Sequence, residues 1–174
     1  MKFNWYRLAQ EKVLYIMRGV SGAGKSTKAR NLPGVIPENI FATDDLIADN
    51  LEDYNAFFDR MEETDDFSPL IEKQNQLIGM IKDAMREGRS PLVLDNMSIE
   101  AWKSKEIVQA AIKNGYRVEF IDIGTGGFTV EELVARNKHG VDAEMMQRMI
   151  DAYEAEGPLT IEKVLESEQP EKIR

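Results

Sequence analysis

The sequence predicts an α/β domain of three layers, with a parallel sheet and a helical lid. Short apolar, β-branched runs alternate with stretches whose apolar residues recur at helical spacing. Strands separated by helices imply parallel pairing through right-handed crossovers, with ligands gathering at the carboxyl ends of the strands. A glycine-rich stretch between the first such run and the first helix marks where the chemistry sits. With 174 residues and no repeat or linker-like tract, residues 1–174 are read as one domain with its core over about 13–155.

The elements follow in order. Val13 to Met17 is a buried strand ending at glycine; Asn39 to Thr43, Pro91 to Asp95 and Tyr116 to Ile121 are three more. Leu77, Ile78, Ile81 and Met85 share one helical face that ends at Gly88, and Ala101, Val108, Ala111 and Ile112 share another that ends at Gly115. Thr129 and Glu132 have capping-box spacing, and Asp142 can cap a further helix on which Met146, Met149, Ile150 and Tyr153 face one way. These two helices, about 129–150, form the expected lid. The methionines are read as core filler, and the tail after Ser167 as frayed. Between about 49 and 68 lies an acidic insertion, rich in Asp and Glu, with Arg60 as its only base and Tyr54, Phe57, Phe58 and Phe67 among the acids. Its amphipathic pattern reads as a solvated helix with aromatics packed inward; the alternative is a lid selecting a neutral or cationic substrate.

Composition narrows the function classes. There is no cysteine, which excludes a disulfide scaffold, a zinc ribbon and thiol catalysis together. No stretch reaches the length of about 18 apolar residues that a membrane span needs, and Met1 to Lys12 lacks the apolar centre of a secretion signal. A reducing cytoplasm is the expected setting, with no membrane partner. The net charge of −9, with no Lys/Arg run, favours a small substrate or a chain end held at a local basic site over long nucleic acid.

Gly19-Val20-Ser21-Gly22-Ala23-Gly24-Lys25-Ser26 matches G-x-x-x-x-G-K-[ST] between a strand and a helix. Glycines let the backbone wrap an anion without Cβ clashes and aim its N–H groups inward. The positive end of the helix opening near Lys25 adds to the same point. In this P-loop Lys25 reaches the β- and γ-phosphates of a nucleoside triphosphate, Ser26 offers a hydroxyl to Mg²⁺, and Thr27 can contact the α-phosphate. Gly19, Ser21, Gly22, Ala23 and Gly24 complete the cradle. Arg136-Asn137-Lys138-His139-Gly140 lacks the aspartate of a guanine-reading N-K-x-D motif. Asp95 is followed by Asn96, not by the water-activating Glu of motor ATPases. The chain therefore suits transfer of phosphate to a bound acceptor.

Candidate acceptor-side residues lie at the other strand ends. Asp44, just after the second strand, can accept an acceptor hydroxyl's proton and orient its oxygen in line, or can simply cap a helix starting at Leu46. Asp95 can hold a magnesium-bound water, brace the acceptor, or cap its strand. Arg136 and Arg148 flank the connection Lys138 to Val141, which can close over a triphosphate and bring positive charge to the transferring group; both can equally be solvated, as His139 can.

The succession Gly19 to Thr27, Ala42-Thr43-Asp44-Asp45, Leu92-Val93-Leu94-Asp95-Asn96, Ala101-Trp102 and Arg136-Asn137-x-His139-Gly140-Val141 resembles the 5′-hydroxyl polynucleotide kinase family. It is most similar to the P-loop kinase-like domains of eukaryotic ubiquitin-ligase-binding proteins, and more distantly to the phage polynucleotide kinase. The likeness runs from about Val13 to Tyr153. It implies ATP and Mg²⁺ as ligands, Asp44 as general base, Lys25 and Ser26 on phosphate and metal, Asp95 in acceptor support and Arg136 as a lid arginine. The acceptor it implies is a 5′-hydroxyl of a nucleic-acid end or nucleotide. Three departures lie on the acceptor side: Ile47 where phage-type enzymes carry arginine, Met97-Ser98 after Asp95-Asn96 where relatives often have Thr-Asn, and His139 where a second lid arginine falls. A small-molecule kinase and an ATP-binding module that hydrolyses slowly are the alternative expectations.

Overall fold

A computed structural model describes residues 11–170; the first ten and last four residues, on which parts of the terminal readings above fall, lie outside it. Four strands, β1 (Lys12–Gly19), β2 (Ile40–Phe41), β3 (Leu92–Leu94) and β4 (Tyr116–Gly124), form one sheet. Their order is β2-β3-β1-β4 and every pairing is parallel. Leu14 lies opposite Leu92 and Val118, and Ile16 opposite Leu94 and Phe120, so one pleat face is apolar across three strands.

Both faces are covered. Leu14, Ile16, Phe41, Leu92, Leu94 and Val118 pack on one side against helices α4 (Ser68–Arg86), α5 (Lys105–Lys113) and α8 (Ile161–Glu166). Met17 and Val93 face the other side, where Ala29 of α1 (Lys25–Arg30) and Leu32 cover them. A third cluster joins Val20 and Ala23 of the P-loop to Leu133 of α6 (Val130–Arg136) and to Met146 and Ile150 of α7 (Ala143–Glu156). Leu133 and Met146 are fully buried. Side chains of that size contribute about 1.5–3 kcal/mol each on burial, so the α6–α7 lid is seated on the P-loop by its own apolar contacts.

The helix signals have visible causes. The Thr129 hydroxyl accepts from Glu132 N–H while the Glu132 carboxylate accepts from Thr129 N–H, closing the capping box. Asp142 accepts from Met145 N–H at 2.8 Å at the start of α7. Gly88 and Gly115 follow the ends of α4 and α5.

Several expectations need correction. Asn39 and Thr43 fall outside β2: a short 3₁₀ turn (Pro37–Asn39) precedes the strand, and α2 (Asp44–Ile47) begins directly after Thr43. The Asn39 amide is instead buried, donating to Pro91 C=O and accepting from Arg89. Ala101 belongs to a 3₁₀ turn, and Ile112 is exposed on α5 because α4 and α8 cover the face made by Ile107, Val108 and Ala111. The core extends past residue 155, since α8 brings in Leu159 and Val164. Met17, Met61, Met85 and Met146 are core filler, whereas Met80, Met97 and Met145 are exposed.

The acidic insertion forms α3 (Leu51–Thr64), capped by Asn50, whose side chain accepts from Asp53 N–H. Only Met61 is buried on this helix. Tyr54, Phe57 and Phe58 are half-buried against one another, and Phe67 is exposed rather than packed inward.

Candidate active site

The glycine-rich loop is pinned at its entrance by both neighbouring strand ends. Gly19 N–H donates to Met97 C=O after β3, and Val20 N–H to Gly124 C=O at the end of β4, each at 3.0 Å. Ser21 and Ala23 are buried; Ser26 and Thr27 stand exposed on the first turn of α1. Lys25 bends back over the loop, and its ammonium donates to Val20 C=O at 2.8 Å. Burial lowers the Lys25 pKa, and the charges of Asp95 and then Asp44 partly oppose that. Two carboxylates from different strand ends thus act electrostatically on the one loop cation.

Asp95 follows β3 and is buried. Burial raises its carboxyl pKa, against the opposing influence of the Ser26 hydroxyl hydrogen bond and the positive charges of Lys25 and Arg30. Its Oδ1 is buried with no hydrogen-bond partner. An orphaned carboxylate oxygen in such surroundings is costly unless a ligand or water completes it. It does not cap its strand end. The Asn96 amide makes that tie instead, accepting from Thr43 N–H at 3.0 Å and donating to Thr43 Oγ1 at 2.9 Å. Among the described residues no three His, Cys, Asp or Glu side chains cluster as a metal cage. Mg²⁺ ordinarily keeps several waters and takes one or two protein oxygens together with substrate phosphates. The Ser26–Asp95 pair fits that donor set.

Asp44 opens α2, but the N-cap is Thr43 and no side chain caps this helix. The Asp44 carboxylate is held from two other directions. Tyr54 Oη of α3 donates to Oδ1 at 3.1 Å, and His139 Nε2 from the lid lies 3.3 Å from Oδ2. The Tyr54 and His139 rings pack with centroids 4.4 Å apart. The Asp44 side chain remains about half exposed (49%), so lone pairs on both oxygens stay open to an incoming donor.

The lid loop owes its shape to Asn137. Its Oδ1 accepts from the His139 and Val141 N–H groups, and its Nδ2 donates to Val134 C=O and Val141 C=O. This knot presents the residues on either side: His139 towards Asp44, and Arg136 towards the P-loop. Arg136 Nε donates to Gly22 C=O at 3.1 Å, and its guanidinium lies 3.8 Å above the Phe128 ring. Gly22 itself, at φ +77°, meets the α6 backbone so closely that a Cβ there would lie 2.8 Å from Leu133 O. Arg148 is turned elsewhere, paired with Glu144 one helical turn away on the exposed face of α7.

Lys25, Asp44, Asp95, Ser26 and Arg136 are thus brought to one end of the sheet, and Arg148 is not. Tyr54, Asn137, Phe128 and the Thr43–Asn96 tie were not identified as site residues from the sequence. Asn137 lies inside the Arg136–Val141 motif, where its spacing to His139 and Val141 is the signal for an Asx-type loop. Tyr54 carries no such signal.

The parallel sheet, the loop after its first strand and the Lys/Ser/Asp grouping define a nucleotide-binding P-loop protein of the NTPase type. A family model described as an AAA domain matches residues 14–156, and the chain belongs to that family. It is also 32% identical over 162 residues to NEDD4-binding protein 2 of Homo sapiens, a match covering 92% of this chain and 8% of that protein. The chain therefore spans a small part of that relative's length. Among the described residues, no helix is long and apolar enough to cross a membrane.

Proposed function

We propose that this chain is an ATP-dependent kinase that moves the γ-phosphate to an acceptor hydroxyl, most specifically a 5′-hydroxyl of a nucleic-acid end or nucleotide. The observation that carries the reading is the position of Asp44: a carboxylate beside the P-loop, within the electrostatic reach of Lys25 and Asp95, yet half open to solvent. A P-loop that only hydrolyses needs a group that orients water, whereas a carboxylate oriented from two sides suits a bound hydroxyl.

In this reading the loop from Gly19 to Thr27 cradles the triphosphate, and Lys25 leaves Val20 C=O to meet the phosphate charge. Ser26 and Asp95 would hold Mg²⁺, which when bound would neutralise charge on the phosphates. Asp44 accepts the proton of the acceptor hydroxyl and sets its oxygen in line. Arg136, already docked on Gly22, supplies positive charge to the transferring group. The 5′-hydroxyl assignment rests on the order of the motifs and on likeness to the kinase family named above. The functional unit is a single kinase domain, with the acidic helix α3 and the α6–α7 lid flanking its site.

A second acceptor class, a small neutral or cationic metabolite, is favoured by Ile47 and by the acidic surface of α3. One assay separates them. Labelled ATP is incubated with a 5′-hydroxyl oligonucleotide, nucleosides and small metabolites in parallel. Label on the oligonucleotide supports the leading reading, and label on metabolites alone supports the second. ATP hydrolysis that no acceptor alters contradicts both. Asp44→Asn is expected to slow transfer by about 10²–10⁴-fold, the usual worth of a general base, with ATP affinity little changed.

A further inference from the structure

We infer that Tyr54 and His139 are positioning residues that together assemble the acceptor base, so that Asp44 is correctly oriented only when the lid and the acidic helix α3 are both docked. The inference rests on the phosphotransfer reading, and it adds to it two residues from segments distant in sequence.

Two contacts from separate segments meet at one carboxylate. Tyr54 Oη holds Oδ1 and His139 Nε2 holds Oδ2, so the carboxylate plane is fixed from both sides. The two holders pack on each other, and Tyr54 packs further onto Phe58 at 4.8 Å between centroids. Neither holder can therefore shift without disturbing the other. Burial, then the Asp44 charge and hydrogen bond, push the Tyr54 phenol well above its ordinary range. It stays a proton donor at any working pH. With a hydrogen bond on Oδ1 and the imidazole beside Oδ2, lone pairs remain to receive the acceptor hydroxyl. The clamp orients the base without consuming it.

The two holders belong to opposite jaws. Tyr54 sits on α3, whose contacts to the rest of the chain are few and whose surface is acidic. His139 sits in the loop knotted by Asn137, whose flanking Arg136 touches the P-loop. Docking of the lid on the phosphate side thus places His139 on the acceptor side in the same movement. The coupling gives an acceptor-side reason for residues that the phosphate cradle does not use. It also accounts for a histidine in the lid loop whose Nε2 faces a carboxylate at 3.3 Å.

The test uses Tyr54→Phe, His139→Ala and His139→Gln in the full chain, with labelled ATP and a 5′-hydroxyl oligonucleotide as probe. Tyr54→Phe keeps the ring and loses only the hydroxyl; His139→Gln keeps a donor. Each of Tyr54→Phe and His139→Ala is expected to lower kcat/KM for the acceptor by about 10-fold, the scale of a hydrogen bond to a charged group. KM for ATP should stay within about twofold, and His139→Gln should recover most of the loss. Unchanged acceptor kinetics, or equal losses for ATP and acceptor, overturn the inference. His139 is the single histidine of the chain, so its imidazole NMR signals need no assignment and give a readout that does not depend on turnover. They should move in Tyr54→Phe and in Asp44→Asn but not in the exposed control Lys113→Ala. Signals unmoved in all three overturn the clamp. If the wild type labels no acceptor while those signals do move, the phosphotransfer reading fails and the clamp stands.

Discussion

Gly22→Ala tests how tightly the lid is seated on the phosphate loop. Gly22 has φ +77°, where an L-residue is strained by roughly 1–2 kcal/mol. A Cβ there would also lie 2.8 Å from Leu133 O, 3.3 Å from Asn137 N and 3.5 Å from the Arg136 Cβ. The first two are backbone atoms of the lid, so relief requires α6 to move away from the loop. Overpacking of this kind costs a further 1–3 kcal/mol or so, for a total of roughly 2–5 kcal/mol. Gly24→Ala is the matched control: φ is +101°, but a Cβ there meets nothing within 4 Å, so only the backbone strain remains. At about 2–4 °C per kcal/mol for a domain of this size, thermal unfolding of the nucleotide-free protein should place Gly22→Ala several degrees below Gly24→Ala. Equal midpoints for the two variants would refute the seating of α6 on Gly22.

Asp95→Asn should raise the midpoint of the nucleotide-free protein at neutral pH, because burial disfavours the charged carboxylate. The sign follows from the raised pKa: the stability this group contributes is complete below the ordinary carboxylate range and is lost as pH rises through the folded-state value. The wild type should therefore lose stability relative to Asp95→Asn across that window, and parallel stability–pH curves would contradict the account. Asn137→Ala removes side-chain partners from His139 N–H and Val141 N–H and from two carbonyls. It is expected to cost about 1–3 kcal/mol and to speed proteolysis between α6 and α7; a cleavage rate equal to wild type would show that the loop does not depend on it. Arg136→Lys should retain charge but lose the Nε contact to Gly22 C=O and the stacking on Phe128. Single-turnover transfer should slow by about 10-fold or more, whereas an unchanged rate would make Arg136 a docking residue alone.

The sheet and the phosphate loop were legible because their signals are local. Val13 to Met17 is a continuous apolar run, and Gly19 to Ser26 carries a spacing that backbone wrapping around an anion demands. Asp44 and Asp95 were legible as residues at strand ends. What each does there was not, because it depends on partners set by tertiary packing. Asp44 looks like a helix cap until Thr43 is seen in that place and Tyr54 and His139 are seen on the carboxylate. Asp95 looks like a strand cap until Asn96 is seen making that tie. Tyr54 was one of four aromatics in the acidic stretch, and only the folded structure shows its hydroxyl on Asp44. Arg136 and Arg148 look alike in sequence, and the Asn137 knot turns one of them to the loop while Glu144 claims the other. Ile112 misleads for the same reason, since helical period defines a stripe but the neighbours decide its width.

Titration calorimetry of the wild-type protein with ATP, in Mg²⁺ and then in chelator, addresses the phosphate cradle most directly. Saturable binding in Mg²⁺, weakened by chelator and by Lys25→Ala, is the result expected from a loop that gathers Lys25, Ser26 and Asp95 at one point. No heat of association with ATP or GTP in Mg²⁺, from protein that is folded by its thermal transition, would contradict it.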